Sequence, residues 1–330
     1  MAIHLSVIIP CYNSARTILR CLDSIYALPL PESDFEVIAV NDGSTDETQD
    51  LLEEYVRHHT QLTVIRHLVN RNLGAARNTG LAAAKGKVIA FVDRDDEVSP
   101  GMVQALNLME AKDLDMVALR LELREGERIS FLSLPYSPED VFSGIRLQEE
   151  HPFWSVSAWS YLYSKNLIET VHYPFVEGAY YEDVDFVYNH LFPAERIGYC
   201  DDCCYRFIVC PTSITQSFSS KHVFSSAFLG ARLLSFFDRL APKESSFAKS
   251  MIEFGCVKLN KVFRQLFRLG SISEVKAFYN LFDSRIERSS LLKKKEQAYY
   301  WPFQARLWLR NRLATTLFAG IVGSLRKIAY

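Results

Sequence analysis

The first hundred residues alternate short β-branched runs with helical patterns, and this alternation constrains the fold more than any other feature. Leu5 to Pro10 (LSVIIP) is brief and almost wholly apolar, as a strand buried on both faces should be. Ile18, Leu19, Leu22, Ile25 and Tyr26 then recur at helical spacing. Phe35 to Val40 (FEVIAV) is a second strand ending in NDGSTD, where Ser44 and Glu47 fit a capping box for a helix through Leu51, Leu52, Tyr55 and Val56. Leu62 to His67 is a third strand, and Gly74 to Ala84 an Ala-rich helix stopped near Gly86. Val88 to Val92 is a fourth strand, running straight into Asp93-Arg94-Asp95-Asp96. The pattern predicts an α/β fold, an open parallel sheet with helices on both faces. Ligands of such sheets lie beyond the carboxyl ends of the strands. There the polar residues collect: Tyr12, Asn13, Asp42, Asn70, Arg71 and the aspartates.

Beyond Pro100 the regularity weakens. A helix over about Met102 to Ala111 and a strand at Asp115 to Leu123 precede a loop-rich stretch carrying Trp154, Trp159 and several tyrosines. From Lys221 the apolar positions Phe224, Phe228, Leu229, Leu233, Phe236 and Phe237 keep helical spacing. The expected organisation is one α/β domain over residues 1–220, in halves 1–100 and 101–220, followed by a helical region over 221–330.

Bulk properties exclude several classes. A net charge of -2 argues against nucleic acid as a partner, because phosphate backbones need a basic surface. No G-x-G-x-x-G follows the first strand and no G-x-x-x-x-G-K-[ST] occurs, so dinucleotide oxidoreductases and P-loop enzymes fit poorly. Seven cysteines, an odd count, suit unpaired thiols in a reducing compartment. Cys200, Cys203, Cys204 and Cys210 crowd together, but no second knuckle or histidine pair completes a zinc site, and buried, inert thiols on a strand are expected. The N-terminus has no signal-peptide pattern and no apolar run reaches spanning length, so a cytoplasmic location is expected.

Without a phosphate loop, phosphates need another holder. Asp93, Asp95 and Asp96 offer one, because Mg²⁺ and Mn²⁺ prefer carboxylate oxygen and commonly share it with substrate phosphates. Like charges this close are unfavourable without a cation. The competing reading is a solvated acidic turn ahead of the next helix.

Four segments in register change the weight of these readings: VIIPCYN, VNDGSTDET, NRNLGAARNTGLAAAKG and FVDRDDEV. Together they resemble the donor-binding half of family 2 glycosyltransferases over about residues 5–100. The resemblance implies the GT-A fold and transfer from a nucleotide diphosphate sugar, with UDP the favoured nucleotide and Mn²⁺ or Mg²⁺ as cofactor. It places Pro10, Tyr12 and Asn13 along the nucleoside pocket, Asp42 on the base and Arg71 near the nucleotide. Asp93 corresponds to the ribose- and diphosphate-contacting aspartate, with Asp95 and Asp96 as metal contacts. Arg94 departs from the pattern, since small residues are frequent at that position.

The likeness continues more loosely in WSVSAWSYLYSKNLIE and FVEGAYYEDVDF, which resemble the acceptor side of the same family. There the acidic pair, here Glu182-Asp183, supplies the catalytic base, with Asp183 favoured and Glu182 second. A helix-start acidic pair settled by the macrodipole is the plainer reading. YRFIVCPTSIT resembles an element near the diphosphate, which would bring Arg206 and Ser213 to the phosphates. Trp154 and Trp159 read as core residues or sugar platforms, and His190 as a packed histidine. The expected acceptor is a glycan or lipid-linked hydroxyl. A sugar-1-phosphate nucleotidyltransferase would need a glycine-rich basic loop that VIIPCYNS lacks, and an inactive nucleotide-sugar-binding module is the reading outside catalysis. The segment from Leu307 to Ile328 reads two ways: a basic amphipathic helix lying at a membrane surface, or a helix packed on the protein or in a homodimer contact.

Overall fold

In the computed structural model, residues 3–151, 154–209 and Ser225 are described. Readings that fall on Cys210, Ser213, the helical region over 221–330 and the basic terminal segment lie outside the described residues. The chain begins with the predicted alternation: β1 (Leu5–Cys11), α1 (Ile18–Tyr26), β2 (Phe35–Asp42), α2 (Thr48–Val56), β3 (Leu62–His67), α3 (Leu73–Ala83) and β4 (Val88–Phe91). There follow β5 (Glu97–Val98), α4 (Gly101–Lys112), β6 (Met116–Glu125), β7 (Arg128–Leu132) and α5 (Gly144–Glu150). The last described elements are β8 (Tyr161–Ser164), α6 (Lys165–Val171), α7 (Glu182–Leu191) and β9 (Ile197–Ile208).

The sheet runs β3-β2-β1-β4-β8-β6-β9-β5, with β7 paired to β6. The strands β1 to β4 are mutually parallel, as expected. Beyond that parallel half the sheet is mixed, because β8 is antiparallel to both β4 and β6. Every residue of β1 is buried because helices cover both faces. Val7, Ile9, Val37 and Ala39 pack on one side with Ile18, Leu22, Leu52 and Leu106. The alternate residues Ile8, Ile38 and Val40 pack on the other with Ala76, Phe91 and Phe186. Period-two alternation in continuous apolar runs therefore feeds two cores at once.

The capping box does not form. Ser44 Oγ instead accepts from the Asn13 amide at 2.9 Å, and Asp46 Oδ1 accepts from the Thr48 amide at 3.1 Å, starting α2 there. Gly43 has φ +70°, and a Cβ on it would lie 2.7 Å from the Asn70 amide nitrogen, so only glycine lets this turn settle on the next loop. Cys200 and Cys204 are buried on β9, with their thiols at the Gly101 carbonyl (3.6 and 3.3 Å). Among the described residues no helix is long and apolar enough to cross a membrane.

Candidate active site

The loops after β1 and β2 are stitched together at the carboxyl edge of the sheet. Asn13, at φ 50°, accepts from the Thr45 amide at 2.9 Å, and the Ala15 amide donates to Asp46 at 3.1 Å. Pro10 is buried within β1, whereas Tyr12 just beyond it is 39% exposed. Asp42 closes β2, buried, with Oδ1 taking the Arg71 amide at 2.9 Å and facing His67 Nδ1 at 2.6 Å. His67 Nε2 in turn meets Thr79 Oγ1 at 3.0 Å. The Arg71 guanidinium reaches across to Glu177 at 3.0 Å.

Past β4, residues 93–96 form a tight turn closed by the Asp96 amide on the Asp93 carbonyl at 3.0 Å. Asp96 sits at its base, buried, its two oxygens taken by the Tyr205 hydroxyl and the Ile208 amide, each at 2.8 Å. Burial beside Asp93 pushes its carboxyl up to about 8. This geometry turns Asp96, the second expected metal contact, inward. Asp95, at the turn's tip, is half-buried with no side chain hydrogen-bonded to its carboxylate among the described residues; burial together with Asp93 raises its carboxyl, and Arg94 opposes the rise.

A test of the Asp96 arrangement follows from its titration. Unfolded, an aspartate ionises near pH 3.9; folded, Asp96 holds its proton to about 8. The neutral acid's contribution to stability is complete below about pH 4 and is lost as pH rises to about 8. Asn keeps an oxygen to accept from the Ile208 amide, sets an NH₂ group where Oδ2 accepts from the Tyr205 hydroxyl, and does not titrate, so it shifts Tm by an amount that is constant with pH. Asp96→Asn should therefore gain Tm over the wild type progressively between those limits. Melting curves in EDTA from pH 4 to 9 measure this; parallel profiles would refute it.

Between this turn and α7 lies a residue the sequence reading missed. Arg77, on α3, is 1% exposed, with Nη2 donating to Asp93 at 2.8 Å and Nη1 to Glu182 at 2.6 Å. Its helix neighbours Gly74, Ala75, Ala76 and Gly80 are all small, and that lone long cation among small residues was the available signal. A Cβ on Gly74 would come within 2.5 Å of the Val176 carbonyl, so glycine lets α3 approach the segment leading to α7.

Glu182 and Asp183 open α7 behind Tyr181, whose φ of 63° is a strained value for a bulky side chain. The two carboxylates differ. Glu182 is buried and committed to Arg77; Asp183 is half-buried, with Oδ1 accepting from the Val184 amide at 2.9 Å. Burial raises both carboxyls, and Arg77 opposes the rise in each. Arg206, expected at the phosphates, pairs with Glu97 and Glu122 at 3.6 Å each. Trp159 stacks on Tyr205 and Phe207, and Trp154 is buried. His190 is a packed histidine: it bonds the Phe186 carbonyl at 2.8 Å and burial pulls it down to about 4.

The matches to known proteins fall on this framework. Residues 6–151 match the model of glycosyl transferase family 2. Over that stretch the chain is similar to family 2 glycosyltransferases. It is 34% identical over 220 residues to the uncharacterized glycosyltransferase EpsJ of Bacillus subtilis, covering 64% of this chain and 62% of EpsJ, under two thirds of that relative's length. S. aureus TarS 1-349 in complex with UDP-GlcNAc superposes with a TM-score of 0.67 at 20% identity, over 98% of this chain and 92% of that one. The mannosyltransferase PcManGT from Pyrobaculum calidifontis, solved with GDP-Man and Mn²⁺, gives 0.56 at 17% identity over 98% and 88%. At these identities the structural likenesses establish the GT-A fold alone.

Proposed function

We propose that this chain transfers a sugar from a nucleotide diphosphate donor, with UDP as the favoured nucleotide, to a hydroxyl of a glycan or lipid-linked acceptor. One observation carries the reading: a single buried guanidinium holds Asp93, beside the donor edge, and Glu182, next to Asp183. Donor turn and candidate base thus share one rigid support. Pro10, Tyr12, Asn13 and Asp42 would receive the nucleoside, the Asp42 acceptor suiting the ring N–H of uracil or guanine. Arg71 would lie at the edge of that pocket, and Arg206 further out along β9.

The residues suit a divalent cation as well. Among the described residues no three ligating side chains converge. Asp95, a half-buried carboxylate at a turn tip with no side-chain hydrogen bond, would hold Mn²⁺ or Mg²⁺ together with the donor's phosphates, the usual arrangement for Mg²⁺. Such an ion, when bound, offsets charge on the departing diphosphate. Asp183 takes the acceptor's hydroxyl proton as the acceptor oxygen bonds to the anomeric carbon. The bond from that carbon to the diphosphate oxygen breaks on the opposite face, and one displacement inverts the centre. The reading assigns this chemistry to residues 1–220, with donor and acceptor halves meeting near residue 100, and treats 221–330 as a separate region.

UDP, and more weakly GDP, should raise Tm in Mn²⁺ or Mg²⁺ and leave it unchanged in EDTA. Asp95→Asn should erase that difference while the apo protein melts as wild type does. Equal shifts in EDTA would remove the metal from the reading. No shift with any nucleoside diphosphate, with or without metal, would overturn the donor assignment itself.

A further inference from the structure

The turn at residues 93–96 has both its base residues anchored, while its tip side chains, Arg94 and Asp95, make no hydrogen bond or ion pair to another side chain among the described residues. Asp93 is held by Arg77 at 2.8 Å and by its own amide on the Tyr205 hydroxyl at 3.0 Å. Asp96 is held by Tyr205 and Ile208. Even the tip backbone is fixed, with the Asp95 carbonyl accepting from Arg20 at 2.7 Å. Between these anchors the tip presents Asp95 and Arg94, adjacent and half-buried. Arg94 makes no hydrogen bond or ion pair among the described residues, whereas the neighbouring arginines Arg20, Arg77 and Arg206 all have carboxylate partners.

A guanidinium with five donors in a partly desolvated place is costly while those donors go unmet, and the charge of the adjacent Asp95 offsets its own without bonding them. Its planar fork matches phosphate oxygens two at a time, which a carboxylate-bound cation does not duplicate. The geometry points to Arg94 as a direct ligand of the donor's diphosphate, so that one rigid turn offers both a carboxylate for a cation and a guanidinium for the phosphates. This rests on the nucleotide-donor reading above and adds to it a residue whose place in the motif is a departure from the family pattern. Arg94 would thereby restore part of the positive charge that an aspartate-rich turn otherwise lacks, and would strengthen its hold as negative charge gathers on the leaving group.

Calorimetry on the full chain in Mn²⁺, with UDP and with uridine as separate probes, tests it. Arg94→Met keeps length without charge and should weaken UDP by ~10- to 100-fold, the range of a hydrogen bond to a charged group. Uridine, lacking phosphates, should bind both proteins equally. Arg94→Lys should recover part of the UDP affinity. Unchanged UDP affinity in Arg94→Met overturns the assignment while leaving the donor reading intact, as does equal weakening of UDP and uridine, which would mark a distorted pocket. A wild-type protein that binds neither UDP nor any other nucleoside diphosphate overturns the donor reading, and the role of Arg94 with it.

Discussion

Asp183→Asn is expected to lower the rate of transfer by roughly 10²- to 10⁴-fold, the usual contribution of a positioned general base, while donor affinity stays within experimental error. The substitution keeps size and retains an acceptor for the Val184 amide, which Asp183 Oδ1 receives at 2.9 Å. Only basicity is lost, so kcat should fall and binding should not. The neighbouring acid cannot stand in, because Glu182 is buried and its Oε1 is bound to Arg77 at 2.6 Å. As the proposed base, Asp183 must be ionised to act, and burial raises its carboxyl. The acid limb of the wild-type pH–rate profile should therefore lie above the ordinary carboxylate range. Product assays across pH, with donor calorimetry alongside, measure both effects. Wild-type kcat in the variant would move the role to another group, and a large loss of donor affinity would mean that Asp183 holds substrate.

Which parts of this molecule can be read in advance follows from where the constraints originate. The strands β1, β2 and β4 were legible because burial on both faces demands unbroken apolar residues, and LSVIIP, FEVIAV and VIAF supply them. Strand β8 was not, because YLYS carries two tyrosines within a polar-looking stretch. In the structure both are core residues, their hydroxyls satisfied locally by the Ser155 and Ala158 carbonyls at 2.9 and 3.0 Å. The aspartates at the strand ends stood out by position and charge alone. Their division of labour did not, since Asp96 is turned inward by Tyr205, 109 residues away in the chain. The ties from Asp42 to His67 and from Arg77 to Glu182 bridge 25 and 105 residues. No local pattern encodes such pairings; they exist only once the sheet brings the elements together.

Arg77→Met should destabilise the domain by about 3–5 kcal/mol, the loss typical when one partner of a buried ion pair is removed. Methionine fits the helix and fills much of the volume, so propensity and packing account for little of the change. What remains is electrostatic. Arg77 is 1% exposed and its two terminal nitrogens hold Asp93 and Glu182. With the guanidinium gone, Glu182 is left as an acid in the core with its partner missing, and burial raises its carboxyl further once the opposing charge is lost. It would take up a proton or draw in water, and the segment before α7 would loosen with it. The double change Arg77→Met with Glu182→Gln removes the stranded charge as well as its partner, and should recover a large part of the stability. Urea titrations of wild type, both single variants and the double variant complete the cycle. Additive losses in the double variant would show that the two side chains do not act as a pair, and that the donor turn and the acidic pair of α7 are held in place independently.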